Sequence, residues 1–198
     1  MKRIFLIAFV FAVNIAFSQS NVSFKLIGFG INPLNDLNKP LYKANFIDSN
    51  GILTFEPGIQ VAGEIFGSET TSVKVIQCYM KDQVGYNSGF SQVLVNFKVV
   101  NEKKYYLQFG IGPIIHYRKT WALVTDYQDE GIFDSYGINQ FNVTWLSAEA
   151  EFNWKRNKYT DFAISLNHIH PRSLGIFFGM KFWISRKSQH CNTCPSYK

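Results

Sequence analysis

Residues 105–121 read YYLQFGIGPIIHYRKTW. Taken alternately, Tyr105, Leu107, Phe109, Ile111, Ile115 and Tyr117 form one apolar row. The other row, Tyr106, Gln108, Gly110, Gly112, Ile114, His116 and Arg118, is mostly polar or lacks a side chain. A period of two marks a β-strand with one apolar and one mixed face. The stretch outruns the about five or six residues of an ordinary globular strand. It suits a wall with lipid on one side and a narrow, crowded, polar interior on the other.

The same alternation predicts four strands before this one (residues 23–31, 52–66, 70–82 and 90–100) and three after it (142–154, 159–169 and 174–185). In the first, Ile27, Phe29 and Ile31 share a row, with Gly28 and Gly30 between them. In the second, Leu53, Phe55, Ile59, Val61 and Ile65 oppose Thr54, Glu56, Gln60 and Glu64. The third loses its phase after Ile76, which a bulge near Gln77 would restore. Val93, Val95, Phe97 and Val99 oppose Gln92, Asn96 and Lys98, and Leu146, Ala148, Ala150, Phe152 and Trp154 oppose Ser147, Glu149, Glu151 and Asn153. Phe162, Ile164 and Leu166 oppose Asp161, Ser165 and Asn167. In the last strand Leu174, Ile176, Phe178, Met180 and Phe182 oppose Gly175, Phe177, Gly179, Lys181 and Trp183.

The connections alternate between long and short. Loops at 32–50, 83–89, 122–141 and 170–172 take turns with tight turns at 67–69, 101–103 and 155–158, and 122–141 is the longest irregular segment. Long loops on one side and short turns on the other are the habit of outer-membrane barrels. Tyr105, Trp154, Tyr159 and Phe182 are expected at the short-turn edge, and Tyr117 and Trp121 at the other. The predicted fold class is all-β: an eight-stranded antiparallel up-and-down transmembrane β-barrel, in which the apolar rows face lipid.

The ends of the chain divide from this body. Lys2 and Arg3, the apolar run from Ile4 to Val13 and the small-x-small site Ala16-Phe17-Ser18 have the layout of a secretory signal peptide over residues 1–18. That run is shorter than the ~20 residues of a spanning helix. Residues 19–186 then form the barrel, and 187–198 a periplasmic tail. Aromatic residues are 17% of the chain, which favours strands. A mean hydropathy of −0.06 suits a barrel in which only alternate residues meet lipid. The net charge of +6 owes two units to Lys2 and Arg3, and the remaining cations are scattered, so no nucleic-acid partner is read from it. Cys191 and Cys194 are the candidate disulfide of an exported chain, whereas Cys78 falls within a strand. One CxxC with His190 supplies too few ligands for a zinc site, and the Gly28-x-Gly30 and Gly110-x-Gly112 pairs open no helix, so neither a metal nor a cofactor is expected.

On the signal peptide, the strand count and length and the loop asymmetry, the chain resembles the small eight-stranded outer-membrane barrels of Gram-negative bacteria. The likeness spans residues 23–185, with phrases such as Phe55-Glu56-Pro57-Gly58 and Gly110-Ile111-Gly112-Pro113. It implies outer-membrane lipid and lipopolysaccharide as surroundings, an extracellular ligand or protein at the loops, and a monomer. The family's chains end on an aromatic last strand, whereas here a tail follows Arg186.

Two kinds of site are then candidates. Eight strands enclose an interior just wide enough for side chains, so the inward charges Glu56, Glu64, Lys74, Lys98, Arg118, Glu149, Glu151, Asp161 and Lys181 must pair with one another. Such a network would plug the barrel and leave a structural or surface-binding role to loops 32–50 and 122–141. The alternative is a hydrolase at the outer leaflet. Lipid A deacylases are similar barrels with a His and a Ser two residues on, but the matching positions here are His168 and His170, without the nucleophile. An internal set of Ser165, Glu149 and His116 is the second catalytic candidate. A further alternative is a soluble, secreted, lipocalin-like barrel with its apolar rows turned inward.

Overall fold

A computed structural model of the chain describes residues 19–32, 37–170 and 173–185. The expected signal peptide, the tail with Cys191 and Cys194, and the side chain of His170 lie outside the described residues.

The strands are β1 (Ser20–Ile31), β2 (Leu53–Phe66), β3 (Thr71–Lys81), β4 (Asn87–Asn101), β5 (Tyr105–Lys119), β6 (Asp134–Tyr136), β7 (Asn139–Lys155), β8 (Thr160–His170) and β9 (Ser173–Ser185). Eight long strands pair antiparallel in chain order, with β5 against β7, and β9 returns to β1, which closes the sheet. β6 is a three-residue flap on the outer end of β7, paired with Asn139–Phe141. The fold is therefore an up-and-down eight-stranded barrel. Two short 3-10 turns, Lys39–Asn45 and Trp121–Leu123, lie in its loops.

The apolar rows face outward. Phe24, Leu26, Ile59, Val75, Val93, Phe109, Ile164 and Phe178 are all exposed, while Gln60, Glu64, Lys74, Gln108, Glu151 and Lys181 are buried. That polarity is the inverse of a lipocalin-like barrel. Among the described residues no helix is long and apolar enough to cross a membrane; the large apolar surface belongs to the strands.

Four local expectations are corrected. β3 has no bulge at Gln77, because its ladders with β2 and β4 run without a shift. The alternation of polar and apolar residues breaks because the inward row changes from Lys74 to Ile76, Cys78 and Met80 while Gln77 stays outside. Ser91 Oγ donates to Gln77 Oε1 at 2.6 Å, and Gln77 Nε2 donates to the Tyr117 hydroxyl at 2.6 Å. Tyr117 reaches Gln77 by crossing Gly89, where a Cβ would collide with its ring. The bulges lie elsewhere. One at Gly28 shifts both ladders of β1, so Ile27 points inward and Phe29 outward instead of sharing a row. Another sets Trp145 and Leu146 against Pro113, which has no N–H for the ladder, and both project outward at 81% and 73% exposure. Segment 122–141 is not wholly irregular, since it contains β6 and β7 begins at Asn139. Trp121 is buried in the loops rather than standing on the outer wall.

Inside, the polarity is layered. Lys25, Lys74, Lys181, Glu64, Glu149 and Glu151 occupy the half nearer the short turns. An apolar layer of Ile27, Ile76, Cys78, Met80, Phe90, Leu94, Ile114 and Phe177 lies beyond them, and a polar layer meets the long loops.

Candidate functional site: the lumen network and the loop cap

Parity alone brings the lumen ions together, since β1, β2, β3, β7 and β9 each point alternate residues at the barrel axis. Lys25 Nζ meets Glu149 Oε1 at 3.2 Å, Glu151 Oε2 and Ser165 Oγ. Lys74 Nζ lies 2.5 Å from Glu149 and 2.7 Å from Glu151. Lys181 Nζ lies 3.0 Å from Glu64 and 2.5 Å from Glu151. The three ammoniums and three carboxylates cancel, and Glu151 touches all three lysines. Asn21, Ser72 and Gln108 donate to Glu64, and Asn153 to Glu151, so these two carboxylates gain neutral hydrogen bonds besides their lysines. Each ion has 0–1% side-chain exposure, so this matching of charge and hydrogen bonds is what makes its burial tolerable.

Of the residues expected in the network, Glu64, Lys74, Glu149, Glu151 and Lys181 meet in one cluster. Asp161 sits at its margin, accepting from the Tyr106 hydroxyl at 3.0 Å and Trp183 Nε1 at 2.6 Å. Lys98 lies over the rings of Phe66, Tyr106 and Trp183. Glu56 and Arg118 belong to the opposite end of the barrel. Sequence reasoning missed Lys25, although the alternation Asn21, Ser23, Lys25 carried the signal.

The loop end is built around Arg118. Its guanidinium lies 3.7 Å from the Trp121 ring centre and 3.8 Å from that of Phe133, and its Nε donates to Gln140 at 3.0 Å. Trp121 Nε1 donates to Asp82 Oδ2 at 2.7 Å, and Asp82 Oδ1 also accepts from the backbone N–H groups of Val84 and Tyr86. Asn38 makes reciprocal bonds with the backbone of Gln128, which ties the first loop to the third. Asn45 donates to the Gln83 carbonyl, which ties the first to the second. A chain of donors runs from Gln83 to Asn32, to Thr54 and on to Glu56. The Glu56 carboxylate fills the space where Gly30 lacks a Cβ. Three loops thus form one connected cap.

Burial pushes the Asp82 carboxyl up to about 6, against the pull of the Trp121 and Tyr86 hydrogen bonds and the Arg118 charge. A carboxyl raised in the closed cap binds protons that the open loop would not hold between about pH 4 and 6. Cap stability therefore rises as pH falls from about 6 towards 4 and is lowest, and level, above that window. Hydrogen exchange at the 82–86 and 120–124 amides, corrected for intrinsic rates, is expected to show more protection at pH 5 than at pH 7. Asp82→Asn should abolish that difference.

The catalytic candidates are not assembled. Ser165 Oγ is taken by Lys25, and Glu149 by Lys25 and Lys74. His116 Nε2 instead lies 3.1 Å from Ser88 Oγ, with Phe133 against its ring. His168 pairs in the ladder with outward Leu174, and the register shifts between His168 and His170. Among the described residues, no three of His, Cys, Asp and Glu converge as metal ligands, and Cys78 is a buried free thiol.

No protein-family model and no curated protein sequence matches the chain. Among solved structures it is similar to Ail, the attachment invasion locus protein of Yersinia pestis, at 10% identity and a TM-score of 0.45, over 84% of this chain and 96% of that one. Ail in complex with the heparin analogue sucrose octasulfate gives 10% identity, a TM-score of 0.43 and the same coverage.

Proposed function

We propose that this protein is an integral barrel of a bacterial outer membrane, acting as a monomer with its interior closed to solutes and its loop cap as a contact surface. One observation carries the reading: exposed Phe, Leu, Ile and Val side chains surround a barrel whose buried interior is polar and ionic. Water would drive such rows inward, whereas a bilayer holds them out. Closure of the sheet supports a single copy, because every long strand has a neighbour on each side. The neutral ion network and the apolar layer above it support a plug. The pinned loops face outer-leaflet lipid and lipopolysaccharide, and offer a preorganised surface to an extracellular ligand or protein.

The test combines fractionation with reconstitution. The full chain is expected in the outer-membrane fraction, with a mobility on unheated gels that boiling changes. Planar bilayers holding it should show no steady conductance. A soluble periplasmic protein without a heat-dependent shift sinks the membrane reading, and stable channel currents sink the plug.

A further inference from the structure

The two short turns beside β5 and β7 concentrate positive charge. Residues 102–104 and 155–158 hold Lys103, Lys104, Lys155, Arg156 and Lys158 against the single carboxylate of Glu102. The turns are stitched together: Lys155 N donates to the Lys104 carbonyl at 2.8 Å, and Lys155 Nζ bonds Asn101 Oδ1 and the Glu102 carbonyl. Asn157 Oδ1 accepts from the Tyr159 and Thr160 amides, which fixes the second turn. Lys103, Lys104, Arg156 and Lys158 are exposed around this frame. Their charge is local, because the remaining short turn, at 67–70, carries only Glu69. At the opposite end the loops are mixed, with Asp48, Asp82, Asp126, Asp129 and Glu130 alongside Lys39 and Lys43.

Aromatic rings lie directly beneath the cations. Tyr105 stacks on Phe152 at 5.7 Å, Trp154 and Tyr159 are exposed, Arg156 lies over Phe162, and Lys158 over Tyr159. Exposed Tyr and Trp collect at the headgroup level of a bilayer. Cations just beyond them, on a stitched frame, stand at the height of lipid phosphates.

We propose that these two turns form a site for the phosphodiester headgroup of an anionic phospholipid in the periplasmic leaflet, a reading that rests on membrane insertion. Phosphate oxygens would accept from Lys103, Lys104, Arg156 and Lys158, while the aromatic collar receives the glycerol and upper acyl region. An arginine and several lysines around one phosphate give charge-assisted hydrogen bonds that a zwitterionic headgroup, carrying its own ammonium, would satisfy less well.

The full chain, folded in micelles of a zwitterionic detergent, would be offered phosphatidylglycerol or phosphatidylcholine and analysed by native mass spectrometry. At least tenfold preferential retention of phosphatidylglycerol is expected, declining with added salt. The variant Lys103→Ala, Lys104→Ala, Arg156→Ala, Lys158→Ala should lose it, whereas arginine at all four positions should keep it. Should the fourfold alanine variant not fold, Lys103→Ala with Lys104→Ala supplies the reading, with a partial loss expected. The heat-dependent gel shift, recorded for every sample, reports barrel formation separately. A folded wild type that retains both lipids equally, or an alanine variant that keeps its preference, overturns the site while leaving the membrane reading intact. Displacement of the lipid by inorganic phosphate, but not by sodium chloride of matched ionic strength, would overturn the lipid assignment in favour of a soluble phosphate ligand.

Discussion

Glu151→Ala is expected to be the most damaging single change in the lumen. Glu151 contacts Lys25, Lys74 and Lys181 at once, so its loss leaves three buried ammoniums facing only Glu64 and Glu149. Removing one partner from a buried ionic cluster costs about 3–5 kcal/mol, chiefly because charge is left without compensation. Urea unfolding of the reconstituted protein, followed by tryptophan fluorescence, should show the midpoint fall by that equivalent or the barrel fail to form. Glu151→Gln combined with Lys181→Met restores two cations to two carboxylates and should recover a large part of the loss. A double variant as damaged as the sum of its single changes would show that charge balance does not hold the cluster together.

Val75→Arg should give the second large effect, and it separates the membrane reading from any soluble one. Val75 is 55% exposed near the middle of β3, with its side chain on the outer wall. An arginine at the midplane of a membrane barrel costs about 2–4 kcal/mol and near the interface about 0–1. Val99→Arg, on an equally exposed residue close to the β4–β5 turn, is the matched control. Insertion and unfolding in lipid vesicles should suffer for the first and scarcely change for the second. Equal, negligible effects at both sites would contradict a bilayer around the strands, since a water-exposed valine tolerates arginine readily.

The barrel was legible because parity repeats: one glance at Phe109, Ile111 and Ile115 against Gln108, Gly110 and His116 fixes a face for the whole strand. Parity fails where a residue is added, and Gly28 left no trace beyond being glycine, so Ile27 and Phe29 were read on one row. It also fails where the interior turns apolar. Ile76, Cys78 and Met80 resemble an outward row, which is why a bulge was expected at Gln77. The ionic cluster was legible as a set of inward charges, but not as a partition of them. Which carboxylate meets which lysine depends on register across the barrel, and Lys25 and Glu151 are separated by 126 residues. The cap was least legible, because Trp121, Phe133 and Asn38 reach Arg118 and its neighbours from loops with no period.

The placement of the lysines has a consequence for assembly. Lys25 lies on β1 and Lys181 on β9, the first and last strands, whose pairing closes the sheet. Each reaches carboxylates on other walls, Lys25 to Glu149 and Glu151, and Lys181 to Glu64 and Glu151. A slip of one residue at the β1–β9 seam turns one of these lysines outward. It would then place an ammonium on the apolar outer wall and leave carboxylates without a partner in the lumen. The network thus disfavours a seam slipped by one residue, since both lysines reach their carboxylates only when β1 and β9 keep their inward faces.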